Sequence, residues 1–74
     1  MSKRWSSREV LAALRRAGFE IVSQRGSHVK LRGMRGGVSH TVIVKHPADL
    51  IPAGTMGSIL SQAGMSREDF ESYL

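Results

Sequence analysis

The chain contains no cysteine. That excludes a disulfide framework and any thiolate-held metal, and it suits a reducing, cytoplasmic compartment. No apolar run approaches the roughly 20 residues that a membrane span requires, so no membrane association is expected. The opening Met1-Ser2-Lys3-Arg4-Trp5 lacks the apolar stretch of a secretory signal. Internal repeats and low-complexity tracts are absent. Carboxylates are few, and none forms an acid–base pair: Glu9 and Asp69 are accounted for by helix capping, and Glu20 stands alone. At 74 residues there is room for one domain, residues 1–74, and no second core. A chain of this size buries about 60% of its surface, so caps and turns carry a fair share of its stability.

What the chain does have is positive charge, unevenly spread. Eleven Lys and Arg face six Asp and Glu, a net of +5. Residues 1–46 hold ten basic and two acidic side chains, net +8, while residues 47–74 hold one basic and four acidic, net −3. A polyanionic partner would be met by the first half. Solubility alone is the competing explanation of the charge.

Ser6-Ser7-Arg8-Glu9 has the form of a capping box, with Trp5 and Val10 placed to staple it. Val10, Leu11, Leu14 and Ala17 recur at helical spacing and predict a helix from about Ser7 to Ala17, ended by Gly18. Arg8, Arg15 and Arg16 fall off its apolar stripe. Phe19 to Arg25 is rich in β-formers, with Phe19, Ile21 and Ser23 assigned to one face. Gly26-Ser27 suits a two-residue hairpin loop of type II′. His28-Val29-Lys30-Leu31-Arg32 alternates, Val29 and Leu31 inward and His28, Lys30 and Arg32 outward. Gly33 to Gly37, with three glycines in five residues, reads as a flexible connection. Val38 to Lys45 is the third strand, and its Val42-Ile43-Val44 run predicts burial on both sides. Connections this short dictate an antiparallel meander.

His46-Pro47 to Pro52 is a loop, marked by its two prolines and Asp49 and expected to be pinned by Leu50 and Ile51. Thr55 is the expected N-cap of a helix running to Ala63, with Met56, Ile59, Leu60 and Ala63 as its apolar face and Gly64 as its stop. Ser66 caps a last short helix, with Met65, Phe70, Tyr73 and Leu74 to bury. The result is an α+β domain, α-β-β-β-α with a short extra C-terminal helix, its helices packed on one face of a three-stranded antiparallel sheet.

His28 is the candidate for chemistry. Cutting RNA with its own 2′-hydroxyl needs a group to take that proton or to protonate the leaving oxygen, and positive charge to stabilise the transition state. An imidazole performs either proton transfer near neutral pH. Lys30 and Arg32 follow on the same face, where they can hold phosphates, and Gly26 and Ser27 can offer backbone N–H groups. Arg25 and Lys45 complete the basic set. The alternative is a surface histidine in a plain hairpin. His40 and His46 share a strand face, but no third ligand supports a metal site. His40 remains open as a helper to His28. No Asp or Glu stands near a histidine in sequence to suggest a triad, and the Gly33–Gly37 loop lacks the Lys-Ser/Thr of a phosphate loop.

Ser7-Arg8-Glu9-Val10-Leu11, Ala17-Gly18-Phe19, Arg25-Gly26-Ser27-His28, Val42-Ile43-Val44, His46-Pro47 and Pro52-Ala53-Gly54-Thr55-Met56, followed by Ile59-Leu60 and Gln62-Ala63-Gly64, occur in that order. Together they resemble the HicA toxins, the mRNA-interferase half of HicA–HicB toxin–antitoxin pairs, over about residues 6–64. The resemblance implies a fold like the double-stranded-RNA-binding domain. It also implies endoribonuclease activity on mRNA without metal or other cofactor, with His28 as the catalytic residue. The implied partner is an acidic-surfaced HicB-like antitoxin. Two positions depart from the family pattern: Val29 stands where many relatives carry a second histidine, and Gly57 where a basic residue is common. A two-histidine scheme would therefore draw on His40 or His46. The rival function is a non-catalytic RNA- or DNA-binding module using the same basic face.

Overall fold

Ser6 closes the start of the first helix with its side chain. Its Oγ accepts the Glu9 N–H at 3.1 Å, and the Glu9 carboxylate accepts the Ser6 N–H at 3.0 Å, so the expected capping box forms. The structure, a computed structural model, describes residues 4–74. Met1, Ser2 and Lys3, which belong to the expected leaderless N-terminus and to the basic half, lie outside the described residues. The elements are α1 (Ser7–Arg16), β1 (Glu20–Arg25), β2 (His28–Arg35), β3 (Val38–Lys45), α2 (Ala53–Ala63) and α3 (Arg67–Glu71). The strands form one antiparallel sheet in the order β1-β2-β3. This is the α+β meander expected, of the double-stranded-RNA-binding-domain type.

Val10, Ala13 and Leu14 of α1, Val29 and Leu31 of β2, Val42 and Val44 of β3, and Met56, Ile59 and Ala63 of α2 fill one core between sheet and helices. Trp5 and Phe70 join it edge to face, ring centroids 5.3 Å apart, which draws α3 back against the start of α1. Burying an aromatic or branched aliphatic side chain of this kind stabilises by about 1.5–3 kcal/mol. Among the described residues, the other sheet face carries no helix. It is on this open face that the outward residues of β2 stand.

Several local expectations are corrected. β2 continues through Gly33 to Arg35, and only Gly36 and Gly37 turn, both with positive φ as a type I′ loop requires. Gly33 is in the strand for want of space: a Cβ there would lie 2.8 Å from the Phe19 ring. A bulge at Val22 breaks the alternation of β1, so Ser23 pairs with Lys30 on the open face and does not share a face with Ile21. Ile43 is exposed, because the sheet is covered on one side alone. α2 begins at Ala53 after Pro52, two residues before the predicted cap at Thr55; proline's fixed φ and missing N–H suit a helix start. Ile51 is buried and pins the loop, whereas Leu50 is 59% exposed. Leu74 is also exposed, although Tyr73 packs against the core.

Candidate active site on the open sheet face

The 26–27 turn sets the geometry. Gly26 has φ +54 and, among the described residues, no non-glycine residue has positive φ, which is the II′ pattern expected. Closing the hairpin this way makes Arg25 and His28 direct cross-strand partners. On the other side of β2, His28 is opposite Lys45. Arg25, His28 and Lys45 thus form one row across the sheet, with neighbours in such a row about 4.5–5.5 Å apart at Cα. Val29 is 1% and Leu31 0% exposed toward the helices, so the pleat turns His28, Lys30 and Arg32 to the open face. His28 is exposed. Its ring takes no hydrogen bond from the described residues.

The second row is Ser23, Lys30 and Ile43, and the third is Glu20, Arg32 and Thr41. Positive charge is therefore undiluted around His28, while Glu20 stands opposite Arg32 at the far end. All the residues assigned to RNA from sequence (Arg25, Gly26, Ser27, Lys30, Arg32 and Lys45) lie on this face or in the turn that leads to it. A surface hollow of about 750 Å³ lies elsewhere, between α1 and β1 at Ala12, Arg15, Phe19 and Ile21. A ligand at His28 would be held on an open charged surface, as suits a long polyanion better than a small molecule.

His40 stands well apart from His28. His40 pairs with Gly33, five residues along β2 and about 17 Å away at strand rise. It lies on the helix-covered side, where its Nδ1 is 3.2 Å from the Gln62 carbonyl oxygen. It cannot assist His28, so that open possibility closes. Six residues of extended chain, about 20 Å, part His40 from His46, and no group of three metal-ligating side chains occurs among the described residues.

His46 is engaged differently. Its Nδ1 is 2.8 Å from Ser7 Oγ, across 39 residues of sequence. Ser7 is 1% exposed, and its Oγ also accepts the Ala48 N–H at 2.8 Å. Burial and the bond from Ala48 give this serine a structural place, holding the start of α1 to the loop after β3. Sequence reading treats Ser7 as one of several helix-cap serines and misses the pair. Nothing local marks it, since only the fold brings α1 against the loop after β3.

No helix among the described residues is long and apolar enough to cross a membrane. No curated protein matches the chain. The profile of the family described as "HicA toxin of bacterial toxin-antitoxin" matches residues 7–65, a span that begins at the first residue of α1 and takes in the whole sheet, the His28 turn and α2. With that match over most of its length, on a fold of the expected kind, the chain belongs to the HicA toxin family, the toxin side of bacterial toxin–antitoxin systems.

Proposed function

We propose that this toxin is an endoribonuclease acting on mRNA, with His28 moving the proton. The observation that carries the reading is the row Arg25–His28–Lys45, an exposed imidazole between two cations on an uncovered sheet face. The RNA strand lies along the face, its phosphates on Arg25, Lys45, Lys30 and Arg32. Gly26 and Ser27 N–H groups add donors at the turn. His28 takes the proton of a 2′-hydroxyl as that oxygen forms a bond to phosphorus. The bond from phosphorus to the 5′-oxygen breaks, the leaving oxygen takes a proton from water, and His28 returns its own proton to the solvent. The products are a 2′,3′-cyclic phosphate and a 5′-hydroxyl. The flanking cations stabilise the added negative charge in the transition state. No metal or other cofactor enters the scheme.

General acid–base catalysis of this sort is worth about 10²–10⁴-fold, a modest rate that serves a toxin needing only to damage mRNA. The antitoxin partner is an acidic HicB-like protein that covers the same basic face.

The test compares wild type with His28→Ala on RNA in excess EDTA. Wild type yields cyclic-phosphate ends. His28→Ala binds the RNA and leaves it intact, and a 2′-deoxy substitution at the cleaved position blocks wild type. Equal cleavage by both proteins would reject the assignment of His28. Binding with no products from either would favour the non-catalytic RNA- or DNA-binding module.

A further inference from the structure

Behind the His28 turn, on the helix side, a short chain of contacts runs from α1 to the turn itself. Ser7, the first residue of α1, donates and accepts backbone bonds with the 46–52 loop. Its N–H reaches the Ala48 carbonyl at 2.9 Å, and its Oγ takes the Ala48 N–H at 2.8 Å. Ser7 Oγ also holds His46 Nδ1. The His46 N–H in turn donates to the Ser27 carbonyl at 2.7 Å. Ser27 is the residue before His28, so its carbonyl belongs to the peptide that carries the catalytic candidate.

We infer that His46 is a positioning residue: its ring, fixed by Ser7, anchors the backbone N–H that clamps the Ser27–His28 peptide, and so sets where the His28 imidazole stands. This inference rests on the nuclease reading of His28. Its chemistry is specific. Ser7 Oγ accepts from Ala48, so the proton it has to give is its own hydroxyl hydrogen, and His46 Nδ1 is the acceptor in reach. In this proposal that bond holds the ring as the tautomer with hydrogen on Nε2. An apolar side chain at this position would keep the backbone bond to Ser27 but lose the anchor that steadies it, leaving the buried Ser7 hydroxyl without its acceptor. The turn would then be tied to the sheet alone. Displacing a catalytic group by about 1 Å can cost on the order of 10²-fold in rate.

Asparagine and glutamine separate this role from bulk and polarity. In His46→Asn the side-chain amide oxygen can stand where Nδ1 stands and accept from Ser7, whereas in His46→Gln the amide falls near the position of Nε2. With the purified full-length chain and a single-site RNA, His46→Phe and His46→Gln are expected to lower kcat by about 10–10²-fold with KM nearly unchanged. His46→Asn is expected to stay within a few-fold of wild type. Ser7→Ala should lower kcat like His46→Phe, and the double variant should fall no further, because both break one chain of contacts. Amide hydrogen exchange supplies a second readout: Ser27 to Val29 should lose protection in His46→Phe and keep it in His46→Asn.

A folded His46→Phe variant with wild-type kcat and wild-type protection would overturn the inference. So would His46→Asn falling as far as His46→Phe while the turn stays protected, since the ring itself would then be taking part in the chemistry. If wild type proved inert toward RNA, the nuclease reading would fail, and the exchange measurement would still decide whether His46 holds the turn.

Discussion

Gly64 and His40 are packed so closely that a Cβ on the glycine would lie 2.6 Å from His40 Cε1. Gly64 is also the left-handed C-cap of α2, with φ +68. Two constraints therefore act on one residue. Gly64→Ala should destabilise by about 1–3 kcal/mol, from the strained conformation and the clash together. Adding His40→Ala should recover the clash and leave the conformational part. Urea denaturation of the two singles and the double would measure that coupling.

Gly33 faces a different constraint. Its φ is not positive, so the loss in Gly33→Ala comes wholly from the Phe19 ring, which sits 2.8 Å from the added carbon. Phe19 is 2% exposed and has little room to retreat. Overpacking of this kind costs about 1–3 kcal/mol. A lowered urea midpoint with an unchanged slope is the expected result.

The open-face cations should reveal themselves through salt. Each phosphate contact removed lowers the slope of log K against log salt by about 0.7 on single-stranded RNA. Arg25→Ala and Lys45→Ala, tested in the His28→Ala background to prevent cleavage, should each show that change. Arg15→Ala, exposed on α1 in the opposite layer, should leave the slope as it was. Equal slopes for all three would remove the sheet face from the RNA site.

Ser6 and Ser7 are adjacent serines with separate duties. Ser6→Ala loses the N-cap alone and should cost about 1 kcal/mol, with cleavage per folded molecule unchanged. Ser7→Ala strips a buried hydroxyl from two partners and should cost about 1–3 kcal/mol. Thermal unfolding of the two variants beside their cleavage rates would distinguish a cap from an anchor.

Much of this molecule is legible in the order of its residues. The capping box at Ser6, the II′ turn at Gly26, the alternation of β2 and the stop at Gly64 are decided by neighbours within four residues, so sequence states them directly. From these follow the meander and the side on which His28, Lys30 and Arg32 stand. The misreadings share one cause. Gly33 reads as a loop until the Phe19 ring is seen to occupy the space a side chain would need. Ile43 reads as buried until the sheet is seen to have one bare face. Ser23 changes face because of a bulge at Val22 that no local pattern announces.

Sequence by itself determined the elements, the antiparallel order and the candidate histidine, because helix caps, glycine turns and strand alternation act over a few residues. Tertiary structure alone decided that Lys45 stands directly across from that histidine, that His40 is spent on α2, and that Ser7 holds His46. The long-range members of that set, from His28–Lys45 to Ser7–His46, join residues 17 to 39 positions apart in the chain. The β2–β3 register sets the first of these, and the way α1 and α2 settle on the sheet sets the others, a packing outcome that no short stretch of residues encodes.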